Sequence, residues 1–422
     1  MAPYDHAPRE TFAAAKKVRI LSKSRSLLPF WQSAYIGTSF GGPVFLWLVI
    51  ITALGTTRAL CDLVQEIFWF PQSVTVARVE DLATFFRVSE MLNAGETEEV
   101  YTPEAFKVGL SERLQDLIFL NPPHSLPVFY VFSWVDFGAL KLVALLLTIA
   151  TLVFIARTLR LNWPLTALFV LSVGTVQVLL RLNLSVFVIG LIVLALSQAP
   201  KRPIIAGLAL ALATIKPQYG LLIPFFLLGI GAWRCFFTAT AATLGLAAIA
   251  LFAFGPQVFV SYWVSFAHPL YQGYSLTALD WDFSVRSTLG RLGAGLEMRS
   301  FGVVLAMIIG AVLVYKLPKN WPYELRVGFL LLISAAVAPS IMYYSWPLYC
   351  AGILYMALTI PYWPNWLQLL VGLTWMQPFI YILLNSYLPA ATSSHAVLVF
   401  CLIAINPAAF FMHSNRAKSL LG

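Results

Sequence analysis

Twelve apolar stretches, most of them near the length that carries a helix across a bilayer, dominate this chain. They cover approximately residues 39–56, 137–156, 163–180, 184–199, 203–217, 219–233, 236–255, 300–315, 325–341, 344–361, 366–384 and 394–412. A spanning helix needs about 20 mostly apolar residues. Inside hydrocarbon every backbone N–H and C=O must be satisfied within the protein, so runs of this kind restrict the fold to a bundle of membrane helices. Composition leaves no other surface to build. Of the 422 residues 60% are hydrophobic and 11% charged, whereas a soluble domain carries about 25% charged residues. The expected fold is an all-α polytopic membrane protein of about twelve spans.

The net charge of +9 is an orientation signal rather than a nucleic-acid footprint. Cytoplasmic loops collect Lys and Arg. With the N-terminus inside, the cytoplasmic segments hold Arg9, Lys16, Lys17, Arg19, Lys23, Arg25, Arg157, Arg160, Lys201, Arg202, Arg234, Lys316, Lys319, Arg326, Arg416 and Lys418, against the acids Asp5, Glu10 and Glu324. Most of the remaining acids fall on the opposite side. This divides the chain into a basic cytoplasmic segment (1–38), a transmembrane domain (39–412) and a cytoplasmic tail (413–422), with both termini inside. The basic start followed by an apolar run imitates a secretory signal, but it lacks a small-residue cleavage site and reads as an uncleaved anchor. Cys61, Cys235, Cys350 and Cys401 show no ligand spacing, and no motif demands a metal or cofactor.

Two external segments, 61–124 and 256–299, are too long and polar to be turns, and loops of this size carry function. Within the first, residues 81–95 read as one amphipathic helix stopped by Gly95, with Leu82, Phe85, Phe86 and Leu92 on a face suited to the membrane surface. Asp81 at its start has two readings: a cap for the unpaired N–H groups of the first turn, or a general base at the mouth of a cavity. Glu80 beside it could share the second role. Further on, Asn121-Pro122-Pro123-His124 fixes an extended lead-in to the next apolar stretch. His124 there is either a turn anchor or a substrate contact.

Lys216, followed by Pro217, stands at the external end of the fifth span. It reads either as a snorkelling lysine or as part of a phosphate clamp at a kinked helix end. Arg181 and Asn183 lie at similar depth in the preceding external turn. Asn183-Leu-Ser185 matches a glycosylation sequon but is pressed against a span. In the second loop, aromatic residues interleave with Asp280, Asp282, Ser284 and Arg286. That pattern suits a sugar site or, equally, an interfacial loop whose charges pair with each other. Tyr343, Tyr344 and Trp346 sit at another external helix end.

In this order, these features resemble glycosyltransferase family 87, polyprenyl-phosphate-dependent enzymes of GT-C architecture that include polyprenol-phosphate-mannose-dependent α-mannosyltransferases. The family's Asp-Phe-x-x-Phe/Tyr-Tyr segment, Gly and Tyr are matched by Asp81-Leu-Ala-Thr-Phe85-Phe86, Gly95 and Tyr101. Its Pro-Pro lead-in is matched by Pro122-Pro123, and its Ala-Gly…Lys-Pro by Ala206-Gly207…Lys216-Pro217. In its Gly-Gln-x-Asn turn only Asn183 remains, with Arg181-Leu182 in place of Gly-Gln. Asp282-Phe283-Ser284 resembles a later Asn-Gln-Ser-type segment, and Tyr343 or Tyr344 stands near the place of a family His.

The resemblance implies a GT-C-type bundle in a bacterial plasma membrane and a donor made of a hexose or pentose, mannose favoured, on a polyprenyl phosphate. It further implies inverting transfer on the outer side to a lipid or glycan acceptor, with Asp81 as the base. Lys216, Arg181, Asn183, Arg286, Ser284 and Tyr344 then contact donor phosphate or sugar, Glu80, His124 and Asp282 assist, and no metal or cofactor takes part. Two other classes stay open: a secondary transporter, with Asp136 and Lys141 as the nearest pathway residues, and a non-catalytic scaffold for envelope assembly.

Overall fold

In a computed structural model the protein is described at residues 80–108, 110, 118–269, 282, 284–359 and 375. The described residues form helices and turns, apart from one isolated bridge between Asp282 and Met342. The helices are α1 (Glu80–Ala94), α2 (Pro103–Lys107), α3 (Leu126–Tyr130), α4 (Phe137–Thr158), α5 (Trp163–Val170), α6 (Val173–Arg181), α7 (Ser185–Gln198), α8 (Pro203–Ala213), α9 (Ile223–Gly229), α10 (Trp233–Phe254), α11 (Gln257–Ser265), α12 (Val285–Arg291), α13 (Leu296–Tyr315), α14 (Tyr323–Val337) and α15 (Trp346–Thr359). The expected spans at 39–56, 366–384 and 394–412, and the terminal segments, lie outside the described residues.

Three of these helices, α4, α10 and α13, are long and apolar enough to cross a membrane. Their outward residues, such as Leu146, Leu244, Phe252 and Ile308, are exposed and apolar, as lipid-facing surface requires. Other expected spans are shorter or divided. The 163–180 stretch breaks where Ser172 turns extended (φ −60°, ψ 143°) and starts α6. The 203–217 stretch stops at Ala213, because Pro217 has no N–H to extend the ladder. Expected starts are often marked by side-chain caps: Asp136 accepts from the Ala139 N–H at 2.9 Å, and Asn162 from the Leu165 N–H at 3.1 Å. Asp136 is thus a helix cap. Lys141 is buried one turn into α4, 5.4 Å from the Phe137 ring centroid.

Small residues let the helices approach. A Cβ on Gly328 would stand 3.1 Å from the Gly352 carbonyl oxygen, and one on Gly352 would stand 3.2 Å from that of Gly328, so α14 and α15 cross backbone to backbone.

The helix expected at 81–95 is present as α1, and Gly95 ends it at φ +83°. Its apolar face meets protein rather than a membrane surface. Leu82, Phe85, Val88 and Met91 are buried in a cluster with Phe129, Phe137 and Leu140, and the Phe85 and Phe129 rings stack at 4.8 Å. Burying one such side chain contributes about 1.5–3 kcal/mol. Leu182 and Ile215 belong to the same cluster. Each precedes a polar residue, Asn183 and Lys216, so this packing welds the loop helix to the bundle where those two residues lie.

Candidate active site

Lys216 follows the turn that ends α8, and it is buried. Its Nζ donates to Asn183 Oδ1 at 2.7 Å and to Ser185 Oγ at 3.2 Å. The Tyr344 and Phe85 ring centroids lie 5.3 and 5.7 Å from it, within cation–π range. Burial works against the ammonium charge, and the Asp81 carboxylate works for it.

Asn183 is held by geometry set one residue earlier. Leu182 adopts a left-handed conformation (φ +46°) after α6, which costs a non-glycine residue about 1–2 kcal/mol. Asn183 Oδ1 then accepts from the Ser185 N–H at 2.8 Å, from Ser185 Oγ and from Lys216. With three donors around one oxygen, the orientation of the amide is settled chemically. Because Ser185 donates to Asn183, Tyr219 Oη must donate to Ser185 Oγ (2.9 Å), and Ser345 Oγ in turn to Tyr219. The whole chain of hydroxyls is polarised toward Asn183. The Asn183 Nδ2, by contrast, is buried without an acceptor among the described residues, and such a group costs free energy until something accepts from it.

Asp81 approaches from α1. The helix begins at Glu80, so Asp81 stands in the first turn, where the helix dipole favours a carboxylate. Phe85, one turn on, shares its face and reaches Lys216. Asp81 is electrostatically coupled to Lys216 and Tyr219. Among the described residues it makes no direct ion pair with the ammonium, and its Oδ2 is buried without a hydrogen-bond partner. The carboxylate and the ammonium thus influence each other without forming an ion pair. The site therefore combines one cation, one open acceptor and one open donor.

His124 anchors the lysine turn. Its Nε2 lies 3.1 Å from the Thr214 carbonyl and 2.9 Å from Thr214 Oγ1. Since the carbonyl only accepts, Nε2 carries the proton. Asn121 Nδ2 donates to the Ile215 carbonyl at 2.9 Å, and Tyr101 Oη to the Asn121 carbonyl at 2.8 Å. The carbonyls left open at the end of α8 are thus capped by the loop, and burial lowers the pKa of His124.

Asp282, Ser284 and Arg286 form a second group. Asp282 is fully buried; its Oδ1 accepts from the N–H groups of Ser284 (2.8 Å) and Ile341 (2.9 Å), and its Oδ2 from Arg286 at 3.1 Å. Arg291 donates to its carbonyl at 3.0 Å, and Ser284 caps α12. Asp282 and Ser284 are satisfied within this group, while Arg286 Nε is buried without a partner among the described residues. The bridge from Asp282 to Met342 holds the segment that presents Tyr344 and Ser345. Arg181 ends α6, two residues before Asn183. Tyr271 to Trp281, including Asp280, lies outside the described residues.

The structure thus gathers Asp81, Asn183, Lys216 and Tyr344, and sets Asp282, Ser284 and Arg286 in a separate knot that is tied to them. Ser185, Tyr219 and Ser345 were not singled out from sequence. The signal for Ser185 was its place in Asn183-x-Ser185, which reads as a sequon; Tyr219 and Ser345, 126 positions apart, offer no local signal.

Comparison with known proteins identifies the family. A family model described as glycosyltransferase family 87 matches residues 119–342. The match contains His124, Arg181, Asn183, Lys216 and Asp282; Asp81 precedes it and Tyr344 follows it. No curated protein matches the chain, and no solved structure does. With the family model spanning more than half of its 422 residues, the chain belongs to glycosyltransferase family 87.

Proposed function

We propose that this glycosyltransferase takes a hexose or pentose, mannose favoured, from a polyprenyl-phosphate donor and passes it to a lipid or glycan acceptor with inversion. The observation that carries the reading is the buried Lys216 ammonium bound to Asn183, whose Nδ2 is open among the described residues, and under the electrostatic influence of Asp81, whose Oδ2 is open likewise. An anion with hydrogen-bonding oxygens would complete this set, and a sugar phosphate is such an anion. A second feature supports a lipid carrier. A groove of 360 Å³, almost wholly apolar, starts at Thr214 and Pro217 beside the lysine and continues along Leu210, Leu227, Phe236 and Leu244.

In the reaction, the acceptor oxygen forms a bond to C1 as the bond from C1 to the phosphate oxygen breaks. The hydroxyl proton passes to Asp81, and the electron pair leaves with the phosphate. Lys216 and Asn183 Nδ2 offset the charge gathering on the phosphate in a site that excludes water, where a fixed dipole or charge is most effective. Attack from the face opposite the leaving group inverts the anomeric centre. Ser345, Tyr219 and Ser185 hold Asn183, and the Asp282 knot holds Ser345. The sorting of Lys and Arg supports a bacterial plasma-membrane topology with both termini cytoplasmic and this site outside.

The test is incubation of the purified protein with radiolabelled polyprenyl-phosphate sugars and a membrane lipid extract. Label should move from a polyprenyl-phosphate donor, mannose foremost, into an extractable lipid or glycan. Transfer from a nucleotide sugar, with none from any polyprenyl-phosphate donor, would overturn the reading.

A further inference from the structure

At the other end of α8, about 16 Å from the lysine turn at 1.5 Å per residue, lies a cavity of 700 Å³. Three inter-helix turns form it, and among the described residues its charged lining is entirely cationic: Lys201, Arg234 and Arg326. Glu324 is close in sequence but exposed, and it does not line the cavity. Arg326 stacks over Tyr323 with its guanidinium carbon 5.9 Å from the ring centroid, and among the described residues its Nε is buried without an acceptor. Tyr323 Oη is itself engaged, donating to the Leu196 carbonyl at 2.6 Å. Helices α8, α10 and α14 all begin here, none with a side-chain cap, so their dipoles and free N–H groups add to the positive potential.

Three cations and three helix starts facing one cavity repel each other unless an anion occupies it. The rim indicates which anion. Trp233, 53% exposed, is stacked on the equally outward Phe237 at 6.2 Å, and aromatic side chains of this kind favour the boundary between headgroups and hydrocarbon. We propose that this cavity binds the phosphate of an anionic phospholipid headgroup, with Arg326 as its deepest contact. The site is separate from glycosyl transfer, and it stands or falls independently of the donor and acceptor.

Full-length protein stripped of lipid in neutral detergent is titrated with phosphatidylglycerol, phosphatidylcholine or inorganic phosphate, and retained lipid is read by native mass spectrometry. Phosphatidylglycerol should be retained in preference to phosphatidylcholine. The double variant Lys201→Gln/Arg234→Gln changes two exposed side chains and should fold. Its phosphatidylglycerol affinity should fall by about thirtyfold, at roughly a kilocalorie per juxtamembrane charge. Adding Arg326→Gln should remove the remaining preference. Equal retention of both lipids, or an unchanged double variant, would overturn the site. Phosphatidylglycerol binding displaced fully by equimolar inorganic phosphate would overturn the lipid assignment in favour of a soluble phosphate.

Discussion

Lys216 donates to Asn183 Oδ1 over 2.7 Å, while Nδ2 of the same amide is buried with no acceptor among the described residues. The lysine thereby fixes the orientation of the amide, and in the proposed reaction Nδ2 is the end that meets the donor phosphate. Asn183→Asp keeps an oxygen for Lys216 but replaces the free donor with an acceptor and neutralises the cation. Donor affinity should fall by about tenfold or more, the worth of one hydrogen bond to a charged group. Isothermal titration with a polyprenyl-phosphate sugar checks this, and Asn183→Ala should lose a similar amount.

Lys216→Met separates fold from function. Burial disfavours the ammonium, and without it Asn183 Oδ1 keeps both donors from Ser185, so an apolar side chain of similar length removes a desolvation cost and strands no acceptor there. The unfolding temperature should therefore hold or rise, while transfer drops by about 10²–10³, as for loss of one preorganised charge-stabilising group. Thermal unfolding and initial rates measured on the same preparation check both halves.

His124 supplies a pH dependence with a definite sign. Burial lowers its pKa below the ordinary 6.5, so below that value the unfolded chain binds the proton more readily than the folded one. Its contribution to stability is full above about pH 6.5 and declines as the pH falls. His124→Gln retains an N–H for the Thr214 carbonyl and cannot titrate. Unfolding temperatures between pH 5 and 7.5 should fall less steeply on the acid side in the variant.

Asp282→Ala removes the acceptor for two backbone N–H groups and leaves Arg286 without its carboxylate. Breaking such a pair costs about 3–5 kcal/mol. The unfolding temperature should drop sharply, and the segment from Ile341 to Ser345 should exchange its amide hydrogens faster, which hydrogen–deuterium exchange detects.

Local chemistry made part of this legible from sequence. The amphipathic period from Leu82 to Leu92 with Gly95 as its stop described α1, and Lys216-Pro217 described a broken helix end. The apolar face of α1 reads from sequence as membrane-facing because periodicity reports that a face is buried and not what covers it; the covering residues, Phe129 and Phe137, lie in later helices. Asp282 shows the same limit. Its burial depends on the Ile341 N–H, 59 positions away, and an acid among aromatic residues reads alike as a ligand or as a clasp. The hydroxyl chain through Tyr219 and Ser345 arises only when the turn after α8 and the turn before α15 are brought together.

The most direct measurement is single-turnover release of polyprenyl phosphate, at saturating labelled donor and acceptor, by the Asp81→Asn variant. The substitution keeps the shape of the side chain and removes the base, so release should slow by about 10²–10⁴ while donor binding and unfolding temperature stay close to those of the unaltered protein. Release at the unaltered rate would contradict a catalytic role for Asp81.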